Sequence, residues 1–277
     1  MVYYSLIKPG IVYGNALTAL AGFLFAAHGV ISWPLLTAVL LGQSFVIASA
    51  AAFNNYLDRD IDALMERTRN RPLPAGQVTP RAVCIFASVL ICFGIAILFL
   101  YTNILSLSIA LFGFTIYVLA YSPAKRRTMY ATHVGAFAGA SPPVIGYTAV
   151  THSLDLSALF LFAALCFWQM AHFFAIAIYR KDEYAAAKIP ILPLRTSIRR
   201  AKLEIFCYVL AFAIAALALS FVGHAGYVYT IIMSIVSVVW LTLALRGFSK
   251  VDEKSWARKM FFLSLLVLVA WCIALVL

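Results

Sequence analysis

Four of the chain's ten acidic residues, Asp58, Asp60, Asp62 and Glu66, crowd into one short stretch. In Asn54-Asn55-Tyr56-Leu57-Asp58-Arg59-Asp60-Ile61-Asp62 the spacing Asn-x-x-x-Asp-x-x-x-Asp puts Asn54, Asp58 and Asp62 on one helical face, spread over about 12 Å at about 1.5 Å per residue. Such a stripe does not help a helix fold, because like charges at i,i+4 repel. Oxygen-only donors of this kind suit Mg2+, which takes a few carboxylates and completes its octahedron with water and phosphate oxygens. The ligand implied is therefore phosphorylated. Arg67, Arg69 and Arg71, then Lys125 and Arg126, then Lys181 and Lys188 offer the cations needed to neutralise a polyanion and its leaving group.

The elements that must position these residues are membrane helices. Of the 277 residues 64% are hydrophobic and only 11% charged, less than half the roughly 25% charge that soluble domains carry. Mean hydropathy is +0.97. Apolar runs long enough to cross a hydrocarbon core of about 30 Å recur along the chain, at roughly 9–30, 34–56, 82–101, 104–122, 131–150, 157–179, 203–222, 226–246 and 257–277. The expected architecture is all-α: a polytopic bundle of nine transmembrane helices in a lipid bilayer, forming one domain over 1–277. Functional loops are expected near 57–81 and 180–202, the longest polar stretches.

The net charge of +11 would suggest nucleic-acid binding in a soluble protein. Here it reports topology, and no nucleic-acid partner is expected. All 21 Lys and Arg fall before the first span, in the loops after the second, fourth, sixth and eighth, or at the span ends that border the last of these loops. By the positive-inside rule these loops and the N-terminus are cytoplasmic and the C-terminus lies outside. Residues 1–8 resemble neither a signal peptide nor an Arg-rich transit segment, which fits a multi-pass protein of a bacterial inner membrane. The five cysteines all sit in apolar spans and are expected to be buried free thiols.

His172 lies inside the sixth span, where a polar ring is costly unless hydrogen-bonded or in contact with a ligand. His133 opens the fifth span, while His28, His152 and His224 fall at outer loops and read as bystanders. The fifth span also carries Gly135, Gly139, Ser141, Pro142, Pro143 and Gly146, a composition that breaks a helix in mid-membrane. The break serves packing or shapes a cavity for a large flat apolar substrate.

Six stretches, in this order, resemble the UbiA superfamily of intramembrane prenyltransferases, and within it the branch that acts on haem: Asn54 to Gly76, Tyr121 to Thr128, Gly139 to Tyr147, Trp168 to Phe173, Tyr179 to Pro193 and Trp256 to Phe261. Ala171 stands where the family more often has proline. The resemblance implies a bundle with a central cavity open to lipid and capped by the two polar loops. It implies that Asn54, Asp58 and Asp62 hold Mg2+ on farnesyl diphosphate, and that Lys8, Arg67, Arg71, Lys125, Arg126 and Lys188 grip the diphosphate. Asp58, Asp62, Tyr184 and Lys188 are the expected catalytic residues, and His172 the expected contact to haem b. Haem A synthase or a terminal oxidase would be the partner that takes the product.

Two other activities compete. A UbiA-type enzyme for a quinone or chlorophyll precursor would share the metal site, but such members usually carry D-x-x-x-D where this chain has Tyr184-x-x-x-Lys188. A haem or lipid transporter would show paired broken helices in internal repeats. Only the fifth span reads as broken.

Overall fold

The computed structural model describes residues 2–222 and 225–277, so His224 lies outside the described residues. Among them there is no strand. The helices are α1 Val2–Leu6, α2 Pro9–Ala27, α3 Trp33–Leu57, α4 Arg59–Leu64, α5 Pro80–Tyr101, α6 Ile104–Thr115, α7 Ser122–Arg127, α8 Ala131–Gly139, α9 Ser141–Thr151, α10 Leu156–Tyr179, α11 Lys181–Ala186, α12 Leu192–Arg195, α13 Ile198–Ala218, α14 Tyr227–Arg246 and α15 Glu253–Ala274. A π-helical turn, Ile116–Tyr121, joins α6 to α7 without a break.

Among the described residues eight helical segments are long and apolar enough to span a bilayer. The fifth of the nine expected spans is not among them, because it is two shorter helices, α8 and α9, that part at Ala140. Pro142 and Pro143 supply no N–H to the carbonyls one turn back, so the break expected from composition occurs where those residues stand.

The chain starts and stops its helices by ordinary means. Thr79, Asn103, Asp155, Ser197 and Asp252 each accept a hydrogen bond from an N–H in the first turn of the helix that follows. Packing pairs α3 with α5, α2 with α9, and α10 with α13 and α15. Large apolar side chains nevertheless stay exposed in stripes, for example Ile231, Ile235 and Val238 on α14, as expected where lipid replaces water around the bundle. The same fact corrects the cysteines. All five are free, but Cys92 and Cys207 are exposed on outer helix faces and only Cys166 and Cys272 are fully buried. Hydropathy does not separate a lipid-facing position from a core one.

Helix α3 has 25 residues, about 38 Å at about 1.5 Å each, which outruns the hydrocarbon core of about 30 Å. Its last turn, with Asn54 and Asn55, can therefore stand at the membrane edge. There it meets the two polar loops: Ile61 and Met65 pack against Ala187 and Ile189, with Tyr184 alongside.

Candidate functional site

Asp58 caps α3 and begins α4, so the helix is interrupted at the residue expected to be central. The i,i+4 bonding still runs through it: Asp58 N–H donates to Asn54 O (2.9 Å) and Asp62 N–H to Asp58 O (2.8 Å). Asn54, Asp58 and Asp62 stay on one face and are all buried, at 2%, 1% and 2% exposure.

Each carboxylate has its own cation. Lys125 Nζ lies 2.9 Å from Asp58 Oδ2, and Arg71 Nη1 lies 2.6 Å from Asp62 Oδ2. Lys8 Nζ donates to Asn54 Oδ1 at 2.5 Å, and Asn54 Nδ2 donates to Asp58 Oδ2 (3.1 Å) and Ser122 Oγ (3.0 Å). Lys8 is held in a left-handed conformation with φ 51°, and Asn55 Nδ2 anchors the chain just before it by donating to Leu6 O at 2.7 Å. Burial, followed by the charges of Arg71 and Lys125, lowers the Lys8 ammonium to about 7, against the pull of Asp58 and Asp62. A site with an excess of confined positive charge is built to receive an anion.

The donor set fits Mg2+. Asp58 Oδ1 is buried with no hydrogen-bond partner among the described residues, a costly state for a carboxylate oxygen unless a cation completes it. No group of three or more His, Cys, Asp or Glu side chains gathers among the described residues, so an all-protein cage is not offered. Two carboxylates that leave several positions to water and phosphate match Mg2+.

Other expected residues lie at the rim. Arg126 makes a two-pronged pair with the exposed Asp60 at 2.6 Å and also donates to the Leu57 carbonyl; among the described residues it forms no hydrogen bond or ion pair with Asp58 or Asp62. That pairing holds the Asp60 carboxyl below the usual range. Arg67 sits 3.8 Å from Glu183 and so ties the two loops together. Tyr184 is half-buried beside Ile61 and Met65, near enough to Tyr121 and Lys125 to interact with them electrostatically. Lys188 is exposed, with φ 54°, and makes no side-chain hydrogen bond or ion pair among the described residues.

Some members of the cluster were not singled out from the sequence. Ser122 joins Asn54, and Thr68 Oγ1 donates to the Asp62 carbonyl at 2.8 Å. Tyr117 and Tyr121 stack at 5.2 Å within the π-helical turn, a distortion often found at functional sites. Nothing in the local sequence marks a π turn, although Tyr117 and Tyr121 recur at i,i+4.

His172, on α10, is 8% exposed. Its ring stacks on Trp168 at 4.8 Å and lies 5.0 Å from Phe261, with Nδ1 2.7 Å from Ser264 Oγ on α15. His133 borders Tyr130, Phe174 and Tyr208.

Comparison with known proteins agrees with this architecture. A protoheme IX farnesyltransferase from Edwardsiella ictaluri is 47% identical over 96% of this chain and 90% of its own length, and one from Photorhabdus laumondii is 46% identical over 96% and 91%. Among solved structures, a digeranylgeranylglyceryl phosphate synthase superposes with a TM-score of 0.83 at 18% identity, covering 99% of this chain and 98% of that one. A UbiA homologue from Archaeoglobus fulgidus bound to DMAPP and Mg2+ gives 0.71 at 16% identity, covering 100% and 99%. The sequence pattern of the UbiA prenyltransferase family matches residues 15–266, a stretch that includes every member of the acid and cation cluster except Lys8. The chain belongs to the UbiA prenyltransferase family.

Proposed function

We propose that this protein transfers the farnesyl group of farnesyl diphosphate to a vinyl group of haem b, with addition of water, giving haem O and diphosphate. The observation that carries this reading is the 46–47% identity, over 96% of the chain, to protoheme IX farnesyltransferases. The buried acid and cation cluster supplies the chemistry such a transfer needs.

In this reading Asp58 and Asp62 hold Mg2+, and Asn54 Oδ1 becomes available to it once the Lys8 ammonium turns to the diphosphate. Bound there, Mg2+ would neutralise charge that builds on the leaving diphosphate. Lys8, Arg71, Lys125 and Lys188 bind the phosphate oxygens, Arg67 and Arg126 flank the entrance, and Tyr184 donates its hydroxyl proton to a phosphate oxygen. These cations favour the ionised products over the ester, so the allylic C–O bond weakens and the farnesyl carbon becomes the electrophile. Apolar walls keep bulk water from that carbon until the vinyl group has attacked. His172 contacts the haem.

The site faces the cytoplasm of a bacterial inner membrane, with the N-terminus inside, nine crossings and the C-terminus outside. Haem A synthase or a terminal oxidase takes the product. The test is direct: purified protein, haem b, farnesyl diphosphate and Mg2+ are incubated, and the porphyrin is weighed by mass spectrometry. A hydroxyethylfarnesyl adduct supports the reading; unmodified haem alongside prenylation of a quinone precursor overturns it.

A further inference from the structure

Gln169 is a buried amide in the middle of α10, 6% exposed, and its Nε2 has no hydrogen-bond partner among the described residues. A buried unpaired donor is costly, so its retention points to a ligand. The amide lies against the break between α8 and α9. A Cβ on Gly139 would come within 2.0 Å of Gln169 Oε1 and 2.8 Å of Nε2, so only glycine gives the side chain this seat. At the same break Pro142 and Pro143 deprive the carbonyls of Ala138 and Gly139 of their helical donors. Ser141 Oγ compensates Ala138 O at 2.7 Å, while Pro143 has no N–H to offer the Gly139 carbonyl. An amide donor without a partner among the described residues thus lies beside a carbonyl that lacks its usual helical donor.

His172, one turn further along α10, adds a lone pair. Ser264 Oγ lies 2.6 Å from Phe261 O and 2.7 Å from His172 Nδ1; with its single proton directed to the carbonyl, the imidazole is the donor of the second contact. In that tautomer Nδ1 carries the ring proton and Nε2 presents its lone pair. Trp168 strengthens this arrangement, stacking on the ring while its Nε1–H donates to Ser264 O at 2.7 Å.

The geometry points to Gln169 and the Gly139 carbonyl as the seat of the water molecule that becomes the hydroxyl of the product, with His172 Nε2 as the acceptor of its proton. This rests on the haem-farnesylation reading above. When the vinyl π pair bonds to farnesyl C1, the C1–O bond breaks and its electrons leave with diphosphate. Positive charge then sits on the vinyl carbon next to the macrocycle. The water oxygen bonds to that carbon, and one of its protons passes to His172 Nε2. Two fixed partners suffice to hold one water in a dry region.

The experiment weighs farnesylated porphyrin made in 18O-labelled water by wild type, Gln169→Met, Gly139→Ala and His172→Ala, with diphosphate release measured in parallel. Wild type should give the hydrated, labelled adduct. Gln169→Met should raise the ratio of an adduct lighter by one water to the hydrated one by about tenfold, the size of one lost hydrogen bond. Gly139→Ala, which pushes on the same amide, should shift the ratio in the same direction, as should His172→Ala. Because the readout is a ratio among adducts formed, a slower enzyme still reports it, and Gly139→Ala decides if Gln169→Met makes none. A wild-type ratio in every variant that forms adduct, or loss of all adduct in all three, assigns these residues to packing and overturns the proposal. A wild type that forms no farnesylated porphyrin at all refutes the function itself instead.

Discussion

Lys125 Nζ, just beyond the π-helical turn, lies 2.9 Å from Asp58 Oδ2, and this pair joins the fourth membrane segment to the end of the second across a buried interface. Asp58 is 1% exposed, whereas the neighbouring Arg126 and Asp60 side chains are 36% and 63% exposed. The two pairs should behave differently. Lys125→Met leaves a buried carboxylate without its cation and should cost about 3–5 kcal/mol; Arg126→Met breaks a surface pair worth about 0–1 kcal/mol. Thermal unfolding in detergent compares them, and equal losses would mean that Asp58 is not confined as described.

Asp58→Ala and Asp62→Ala should abolish adduct formation while the protein stays monodisperse in detergent. Each removes oxygen donors from the proposed Mg2+ site and frees a cation, so the pocket keeps its affinity for anions but loses the metal. Farnesyl diphosphate binding without turnover, measured by calorimetry, is the expected signature. Retained turnover would dismiss the metal site.

These acids and their cations were legible in the sequence because charge is conspicuous in a chain that is 64% hydrophobic. The break at Ala140 was legible too, since Pro142 and Pro143 remove donors whatever surrounds them. Partnerships were not: Lys125 and Arg126 are adjacent, yet one reaches Asp58 and the other Asp60. Only the helical turn decides which side chain points inward. Asn55, Thr68 and Ser122 escaped notice because small polar side chains are common in membrane helices and gain meaning only from the carbonyl or amide they meet. Cys92 and Cys207 were misjudged because lipid and protein core are equally apolar.

Lys8 sets a pH dependence with two opposite slopes. In the ligand-free protein its ammonium loses its proton near pH 7. A diphosphate prefers the charged form, so affinity for farnesyl diphosphate should fall as pH rises through about 7, and Lys8→Gln should flatten that part of the profile. Stability runs the other way. Between about 7 and the ordinary lysine value the unfolded chain holds a proton that the native one lacks, so stability should rise with pH there; the cost is fully present below about 7. Titration calorimetry and unfolding midpoints over this range check both.

His172→Ala should raise the apparent KM for haem b more than that for farnesyl diphosphate, because the ring stands between Trp168 and Phe261, a setting suited to a flat apolar ligand. Ser264→Ala should reproduce part of the effect by releasing the tautomer, and Ser264→Thr should restore it. An unchanged haem dependence would return His172 to packing.

Tyr184 and Lys188 belong to a loop that touches the site through apolar contacts beneath Tyr184 and leaves the Lys188 ammonium without a partner among the described residues. Lys188→Met should therefore lower turnover at saturating Mg2+ with little change in unfolding temperature. Tyr184→Phe should keep the contacts with Ile61 and Met65 and lose only what the hydroxyl supplies. Normal rates in both would make the loop a cover and nothing more.

Helices α2 and α9 approach closely beside the break, and two glycines of α2 separate the effect of that contact from helix propensity. A Cβ on Gly22 would fall 2.1 Å from the Pro143 carbonyl oxygen, whereas nothing lies within 4 Å of one on Gly14. Gly14→Ala should thus stabilise by about 0.5–1 kcal/mol, the ordinary gain in a helix interior. Gly22→Ala must push α2 and α9 apart along backbone that cannot yield as a side chain would, and overpacking of this kind costs about 1–3 kcal/mol. Gly146 faces the same contact from the other side, its Cβ position 2.1 Å from Ala19 O, so Gly146→Ala should lose a similar amount. Because Pro143 stands where α8 and α9 part, either change should also lower turnover, while Gly14→Ala leaves it unaltered. Paired unfolding and rate measurements would detect a uniform response of all three variants, which would mean that the helices separate without cost.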